Sequence, residues 1–370
     1  MYSQADIDEA VAAGAFSGDA AVALRAHLEG RGALPAVDDE QFRLLTGFND
    51  IFVSIASVIL LFAVGWIGQS IGEAIGFRFD RGPSPLPGLM IAATAWGLAL
   101  FFTARRRMAL PSILLLIAFA GGVLFFVSTM MALAIGPQRF DAGDNSQAMG
   151  AIVAAVAAAI AAAATYLHWR RFQVPITVAV GAATLAGLVL SLILSALGKG
   201  DHGNVVLAII LLLGVGVFLL AMRWDSSDPE RVTRRSDVAF WLHLLAAPMI
   251  VHPVFALLGL TTGRASMSEG LVVIALYVVL ALIALAIDRR ALLVSALAYV
   301  LYALSTLFQQ FGAVELNVAL TALVIGSALL LLSAFWHQAR RAIVAPLPEA
   351  LRARLPVLGT VRAPIEPLPV

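Results

Sequence analysis

Residues 204–222 read NVVLAIILLLGVGVFLLAM, a run of 19 residues without a charged side chain. A helix rises about 1.5 Å per residue, so this run would be about 28 Å long, close to the thickness of a bilayer's hydrocarbon core. The rest of the chain is similar: 61% of its 370 residues are hydrophobic and 13% are charged. Soluble domains carry about a quarter charged residues. The sequence therefore predicts an all-α, polytopic membrane helix bundle.

Apolar stretches long enough to cross a bilayer recur along the chain after residue 47. Together they predict ten transmembrane helices. Their expected limits are 49–72, 87–104, 109–136, 148–167, 174–197, 204–222, 238–260, 268–287, 291–312 and 316–337.

The basic residues give an independent test of this count, because cytoplasmic loops retain Lys and Arg during membrane insertion. With ten spans, most of the 24 basic residues fall on the side of the membrane that holds the N-terminus. A missed or invented span would move every later loop to the other side. The pattern predicts ten spans with both termini cytoplasmic. The basic residues on the opposite side are then Arg78, Arg81, Arg139, Lys199 and Arg264.

Polar segments flank the predicted bundle at 48–337 and divide the chain into three parts. Residues 1–47 form a small, acidic cytoplasmic leader, in which Gly14 can end a first helix and Asp38 can cap a later one. Residues 338–370 are rich in proline and are expected to be an extended cytoplasmic tail. Either end is a candidate site for a protein partner. The leader lacks the basic and apolar regions of a cleaved signal peptide.

The acidic leader, the entry sequence DDEQFRLLTGFNDIF at 38–52 and the ten Ala- and Leu-rich spans form a recognisable layout. This layout resembles that of bacterial polytopic membrane proteins grouped in domain-of-unknown-function families. The resemblance covers the arrangement of the chain and includes no diagnostic motif. It implies a bacterial cytoplasmic (inner) membrane and assigns no functional residue.

Composition and motifs exclude several functions. The net charge of +1 does not suit nucleic-acid binding. The absence of cysteine excludes disulfides and thiolate chemistry. Nucleotide-binding glycine loops, HExxH and G-x-S-x-G are all missing, so we expect neither an enzyme nor a metal site or cofactor. Besides the lipid bilayer, the expected partners are a small solute or another protein.

Residues 240–260, FWLHLLAAPMIVHPVFALLGL, contain the most unusual span. His252 would lie about 4.5 Å from the bilayer centre, whereas His243, nine residues away, would face nearly the opposite direction. Pro248 and Pro253 cannot donate hydrogen bonds to the preceding turn, which predicts a kink and freed carbonyls. His252 is therefore either part of a solute or proton path or a neutral histidine bonded across a helix contact.

A polar stripe on the ninth predicted span continues this candidate site. It follows helical spacing from Tyr299 through Tyr302 to Gln309. With Tyr277 of the eighth span and His252, Tyr302 and Gln309 form the predicted cavity or solute-binding set. Packing between helices and anchoring at the membrane surface are the alternative explanations of the stripe.

Other features have less specific interpretations. Asp50, Asp237 and Asp288 lie at helix ends, where solvated charges or caps are expected. The Ala-rich run at 148–167 predicts a helix inside the bundle. Paired arginines recur every 51–64 residues, as tandem duplication of a hairpin or the positive-inside rule alone would each produce. Close helix contacts, or the ordinary use of glycine in membrane helices, would each explain Gly121, Gly122, Gly181, Gly187, Gly214 and Gly216.

Two functions are consistent with these features. The first is a secondary transporter or permease for a small solute, with the cavity near His252. It lacks the buried charged residue that ion-coupled transporters generally carry. The alternative is a non-transporting accessory, assembly or envelope-homeostasis protein that acts by binding a partner.

Overall fold

The three-dimensional description rests on a computed structural model, and it covers eleven stretches of the chain with gaps between them. A few residues within helices are described by backbone alone: 267–269, 298, 302, 303, 306–310, 317 and 318. The described stretches are 11–14, 17–23, 48–78, 82–136, 146–198, 200–229, 231, 233–260, 267–310, 317–352 and 355–356.

Twelve helices and no strand make up the described part of the chain from residue 48 onward. Each of the ten predicted intervals coincides with one of the first ten helices, within a few residues at either end. In chain order the helices are α1 Phe48–Ala74, α2 Leu86–Phe102, α3 Ala109–Ile135, α4 Ser146–Phe172, α5 Ile176–Leu197, α6 Gly203–Ser226, α7 Arg234–Leu257, α8 Met267–Ile287, α9 Ala291–Gln310, α10 Asn317–Ala334, α11 Trp336–Val344 and α12 Glu349–Arg352.

Length and hydropathy confirm a multi-pass membrane protein. Seven described helices, α1 and α3 to α8, are long and apolar enough to cross a bilayer. The number rises to eight if α10 and α11, which meet at a bend of 72°, form one broken span. Large apolar side chains such as Leu212, at 72% exposure, and Phe62, at 70%, point outward from the bundle. In a membrane these side chains face lipid instead of water.

Most consecutive helices pack as neighbours, and α7 is the most enclosed of the candidate spans. It contacts α5, α6 and α9. Half of its most apolar stretch is buried, a larger share than in the other candidate spans. The enclosed side chains on its faces include Leu242, Val251 and Phe255. The helix that carries the two histidines is thus central to the second half of the bundle.

Close helix contacts occur at some of the glycines named above. Gly122 of α3 and Gly88 of α2 face each other so closely that a Cβ added to either would lie 2.6–2.8 Å from the other's carbonyl oxygen. Gly214 of α6 makes a similarly close contact with Met249 of α7. Open space surrounds the Cβ positions of Gly121, Gly187 and Gly216, and Gly181 is in ordinary contact with Thr165.

The Ala-rich helix α4 is inside the bundle on one side only. Its small residues, including Ala157 and Ala161, are buried where α4 packs between α3 and α5. Ile152 and Leu167 are exposed on the opposite side. The prediction of an interior helix is therefore correct for its alanine face, while the bulky residues between the alanines form an outward face.

The polar ends are described in part. The chain divides into two compact units, Met1–Phe42 with Leu358–Val370 and Arg43–Val357. In the first unit, Gly14 has a φ of +71°, as expected for a helix-ending glycine, and the Ser17 hydroxyl accepts a hydrogen bond from the Ala20 N–H. Asp38 lies outside the described residues. In the second unit, 338–344 belongs to helix α11 and is not extended.

Candidate functional site

The predicted site on α7 begins with its two prolines, which lie inside a helix that continues from Arg234 to Leu257. Pro253 leaves the Met249 carbonyl without its usual N–H donor. A Cβ built on Gly214 would lie 2.9 Å from that oxygen. The freed carbonyl therefore lies against the backbone of α6, where a glycine Cα–H is a weak donor.

His252 is exposed on the outer surface of the described bundle. Its Nδ1 lies 2.6 Å from the hydroxyl oxygen of Tyr299 on α9. Tyr277 is half-buried among apolar side chains of the core, and its hydroxyl is buried with no hydrogen-bond partner in the described structure. Tyr302 and Gln309 are on α9, with side chains outside the described set. A cavity shared by these residues stays a prediction.

A different polar site lies at the end of the bundle where α6 and α8 finish and α7 and α9 begin. We call this site the arginine-rich end. Its charged side chains are nearly fully buried, and with His243 they are Asp225, Asp228, Arg231, Asp288, Arg289 and Arg340. The sequence predicts that Asp288 is a solvated charge or a cap, but the residue is only 7% exposed and its carboxylate forms ion pairs. The solvated reading was therefore wrong. Asp237 is exposed as expected, and Asp50 is buried in the first turn of α1.

The first part of this site is a buried triad of Asp225, His243 and Arg289. The Arg289 guanidinium donates to both carboxylate oxygens of Asp225, at 2.6 and 3.3 Å. Nε2 of His243 lies 3.0 Å from Asp225 Oδ2. An ionised carboxylate only accepts hydrogen bonds, so Nε2 carries the proton. Nδ1 of His243 is then an acceptor, and it is buried without a partner in the described structure.

Two helices and one tight turn bring the triad together. Asp225 is in the last turn of α6, and His243 is in the third turn of α7. Arg289 belongs to the three-residue connection between α8 and α9. Asp288, which precedes it, has a φ of +56°, a left-handed conformation that reverses the chain. Because of this reversal Arg289 points inward to Asp225. Its guanidinium also donates to the Ser236 carbonyl, at 3.4 Å.

The second part of the site surrounds Asp288. Arg231 donates to its carboxylate at 2.9 Å and to its backbone carbonyl at 3.2 Å. The indole N–H of Trp336 donates to the other carboxylate oxygen at 2.7 Å. Arg340 lies 3.8 Å from that oxygen and donates to the Pro356 carbonyl at 2.6 Å. Helix α11 is thereby fastened to the α8–α9 connection.

The buried carboxylates and guanidinium groups at the arginine-rich end are equal in number once Asp228 is included. Asp228, which is also buried, accepts from the N–H and the hydroxyl of Thr233 and orders the start of α7. Three carboxylates, those of Asp225, Asp228 and Asp288, therefore oppose three guanidinium groups, those of Arg231, Arg289 and Arg340. A neutral set of this kind avoids the cost of an uncompensated buried charge.

Burial and charge act in opposite directions on the pKa of Asp288. Burial alone would raise this pKa, but Arg231 and Arg340, with the Trp336 hydrogen bond, hold it below its usual value. Burial lowers the pKa of Arg231, although a guanidinium remains charged in proteins.

The lowered pKa of Asp288 predicts an acid-sensitive contribution to stability. This contribution is complete above the unfolded-state value of about 3.9 and is lost as pH falls through the lower folded-state value. We expect Asp288→Asn to destabilise the protein by about 1–2 kcal/mol at pH 7, and the difference from wild type to vanish below that range. Unfolding midpoints in detergent between pH 7 and about 2 measure both quantities. A difference that stays constant down to about pH 2 would contradict the ionic role.

A second buried histidine occurs in the first half of the bundle. His168 of α4 is 1% exposed, and its Nδ1 lies 3.4 Å from the Thr177 hydroxyl of α5. Its ring packs against Phe172 and edge-on to Trp96, with centroids 4.5 and 6.0 Å away. Among the described residues, no charged side chain comparable to Asp225 contacts the His168 ring. We interpret His168 as part of the packing contact between α4 and α5.

The paired arginines do not reveal the arginine-rich end, because they indicate a cytoplasmic loop or a duplicated hairpin and give no sign of burial. In the pairs 289–290 and 340–341 the first arginine is buried and ion-paired. A usable signal was present: Asp225 and Asp228 occur between Arg223 and Arg231, on the same predicted side as Asp288 and its arginines. No group of three metal-binding side chains occurs among the described residues.

Comparison with protein-family models, with curated proteins and with solved structures gives no match to this chain. Inference about function therefore rests on the residues themselves.

Proposed function

We propose that the protein is a ten-span integral membrane protein of a bacterial inner membrane, with both termini cytoplasmic. The arginine distribution supports this orientation, and helices at all ten predicted intervals are compatible with it. The arginine-rich end is then cytoplasmic. Leader 1–47, bundle 48–337 and tail 338–370 remain the proposed division of the chain.

We propose that the protein acts as a non-transporting accessory or assembly protein whose cytoplasmic end presents a fixed surface to a partner. The buried ion network carries this proposal. It connects α6, α7, the α8–α9 connection and α11 through short contacts with balanced charge. Breaking such a network by relative motion would leave charges unpaired, so it favours a rigid end. The exposure of His252 also favours this function over a permeation path.

A secondary transporter is the second candidate, and a different observation favours it. The triad supplies the buried charged residues that the sequence had not revealed. His243 has one nitrogen on Asp225 and the other without a partner in the described structure. Histidine titrates near neutral pH and can exchange protons when water reaches it. In a proton-coupled transporter, this triad would close the cytoplasmic side.

Cysteine labelling separates the two candidates, because the chain has no native cysteine. We expect His252→Cys in membranes to react with N-ethylmaleimide at least about tenfold more slowly than Asp201→Cys. A thiol facing lipid cannot ionise readily, and the thiolate is the reactive form. Asp201 is exposed, so its replacement reports full water access. Equal rates at 252 and 201 would favour a water-filled path and transport.

The same approach tests the orientation. An impermeant maleimide should label Asp201→Cys on intact spheroplasts, and it should label Arg106→Cys only after the membrane is opened. Both side chains are exposed, so sidedness alone distinguishes them. The reverse pattern would contradict the proposed topology.

A further inference from the structure

A surface groove lies between the start of α9 and the end of α10. It has a volume of about 120 Å³. Leu293 and Leu297, from the first two turns of α9, line one side, and Leu332 of α10 lines the other. Val294, also in the lining, is 66% exposed. The groove is therefore apolar and open to the outer surface of a membrane helix bundle.

One end of this groove carries a positive charge. The Arg290 guanidinium lies 4.8 Å from the centre of the Trp336 ring, and both residues line the groove. The indole N–H of Trp336 donates to buried Asp288, so the ring that supports Arg290 is held in place from behind. A cation over an indole face is stabilised by the ring quadrupole. The guanidinium is thus fixed at the mouth of an apolar channel.

Helix α11 gives this end the character of a membrane surface. It leaves α10 at a bend of 72° and buries Trp336, Arg340 and Val344, spaced four residues apart, on one side. Its other side exposes polar residues that include His337 and Arg341. A short amphipathic helix of this kind is typical of the headgroup region. The groove consequently runs from the headgroup level into the hydrocarbon.

We propose that the groove binds an anionic phospholipid, with its phosphate on Arg290 and an acyl chain along Leu293 and Leu297. The charge of Arg290 complements the phosphate, and the apolar channel behind it suits a hydrocarbon chain. An extended peptide would leave polar backbone groups unsatisfied along this groove, whereas an acyl chain has none. The assignment to the cytoplasmic leaflet rests on the proposed topology; the binding site itself does not.

Bound lipid would also be connected to the ion network through Trp336. Trp336 connects Arg290 on its ring face with Asp288 at its indole N–H. A phosphate on Arg290 would therefore lie two contacts away from the Asp288 carboxylate. The site offers the cytoplasmic end a means to respond to anionic lipid.

Native mass spectrometry of the full chain in mild detergent tests the proposal, with dioleoylphosphatidylglycerol and dioleoylphosphatidylcholine as probes. Wild type should retain phosphatidylglycerol in preference to phosphatidylcholine. Arg290→Gln should weaken phosphatidylglycerol binding by about fivefold, whereas Arg106→Gln, at an exposed arginine away from the groove, should leave it unchanged. Val294→Trp should block retention by filling the channel without altering charge.

Several outcomes would overturn the lipid site. Retention by both Arg290→Gln and Val294→Trp at the wild-type level is one, and equal loss in Arg106→Gln is another. Displacement of phosphatidylglycerol by glycerol phosphate alone would indicate a phosphate site without a chain. A dimer that Val294→Trp separates would assign the groove to a second copy. Reversed cysteine labelling would overturn the topology while leaving the Arg290→Gln effect intact, so the two failures are distinguishable.

Discussion

Asp225→Asn should destabilise the protein by about 3–5 kcal/mol, the largest loss we expect from a single substitution at the arginine-rich end. Asn is nearly the same size as Asp, so the packing around it changes little. The Arg289 guanidinium, only 3% exposed, would then keep its charge without a carboxylate. The single amide oxygen of Asn would have to serve both Nη2 of Arg289 and the Nε2 proton of His243, which use separate carboxylate oxygens of Asp225. The cost is that of a buried charge left unpaired.

A double-mutant cycle measures the pair directly. Arg289→Met should also be strongly destabilising, because it leaves the Asp225 carboxylate buried with only His243 opposite. The double variant Asp225→Asn/Arg289→Met should lose clearly less than the sum of the two single losses, since neither charge remains. Unfolding in mixed detergent, followed by circular dichroism, gives the free energies. The matched control is Asp201→Asn, at an exposed carboxylate.

The competing result is equally clear. If Asp225→Asn lowers the free energy of unfolding no more than Asp201→Asn does, the triad does not stabilise the arginine-rich end. The proposal of a fixed cytoplasmic surface would then lack support. If the single losses add in the double variant, the two residues act independently of each other.

The helices were predictable because a membrane span is determined by local composition. Each apolar run must satisfy its own backbone hydrogen bonds, so a helix forms wherever enough apolar residues follow one another. Helix limits such as 174–197 against Ile176–Leu197 and 268–287 against Met267–Ile287 differ by at most two residues. This part of the fold requires no knowledge of which helix neighbours which.

The candidate site was harder because depth along a helix does not determine the direction in which a side chain points. The sequence places His252 near the bilayer centre, yet its side chain is exposed at the surface beside Tyr299. His243, which points to nearly the opposite face of α7, contacts Asp225 in the interior. Rotation about the helix axis is set by packing against α5, α6 and α9, and a single sequence contains no direct record of it.

Charged residues at helix ends raise the same difficulty. The pair Arg289–Arg290 divides between two environments, the buried triad and the lipid-facing groove. The left-handed conformation of Asp288, which precedes both arginines, reverses the chain so that Arg289 turns inward. Positive φ at Asp is uncommon and depends on the surrounding contacts. Composition alone therefore predicts which side of the membrane these arginines occupy and leaves their burial open.

Neighbouring glycines provide the sharpest test of the packing in the first half of the bundle. Gly122→Val should destabilise the protein by up to about 3 kcal/mol. A Cβ at this position would lie 2.8 Å from the Gly88 carbonyl oxygen and 2.9 Å from the Ala92 nitrogen, and backbone atoms cannot move aside as a side chain can. Helices α2 and α3 would have to separate.

Gly121→Val is the matched control, since it adds the same side chain one residue earlier in the same helix. Nothing lies within 4 Å of the Cβ position of Gly121, so the substitution should be close to neutral. Both variants carry the same intrinsic helix propensity, and their difference in free energy of unfolding reports the contact alone. Equal losses would mean that α2 and α3 do not approach each other at Gly88 and Gly122. A selective loss at 122 identifies small residues as the reason these two helices pack closely, because lipid supplies no hydrophobic force to bring them together.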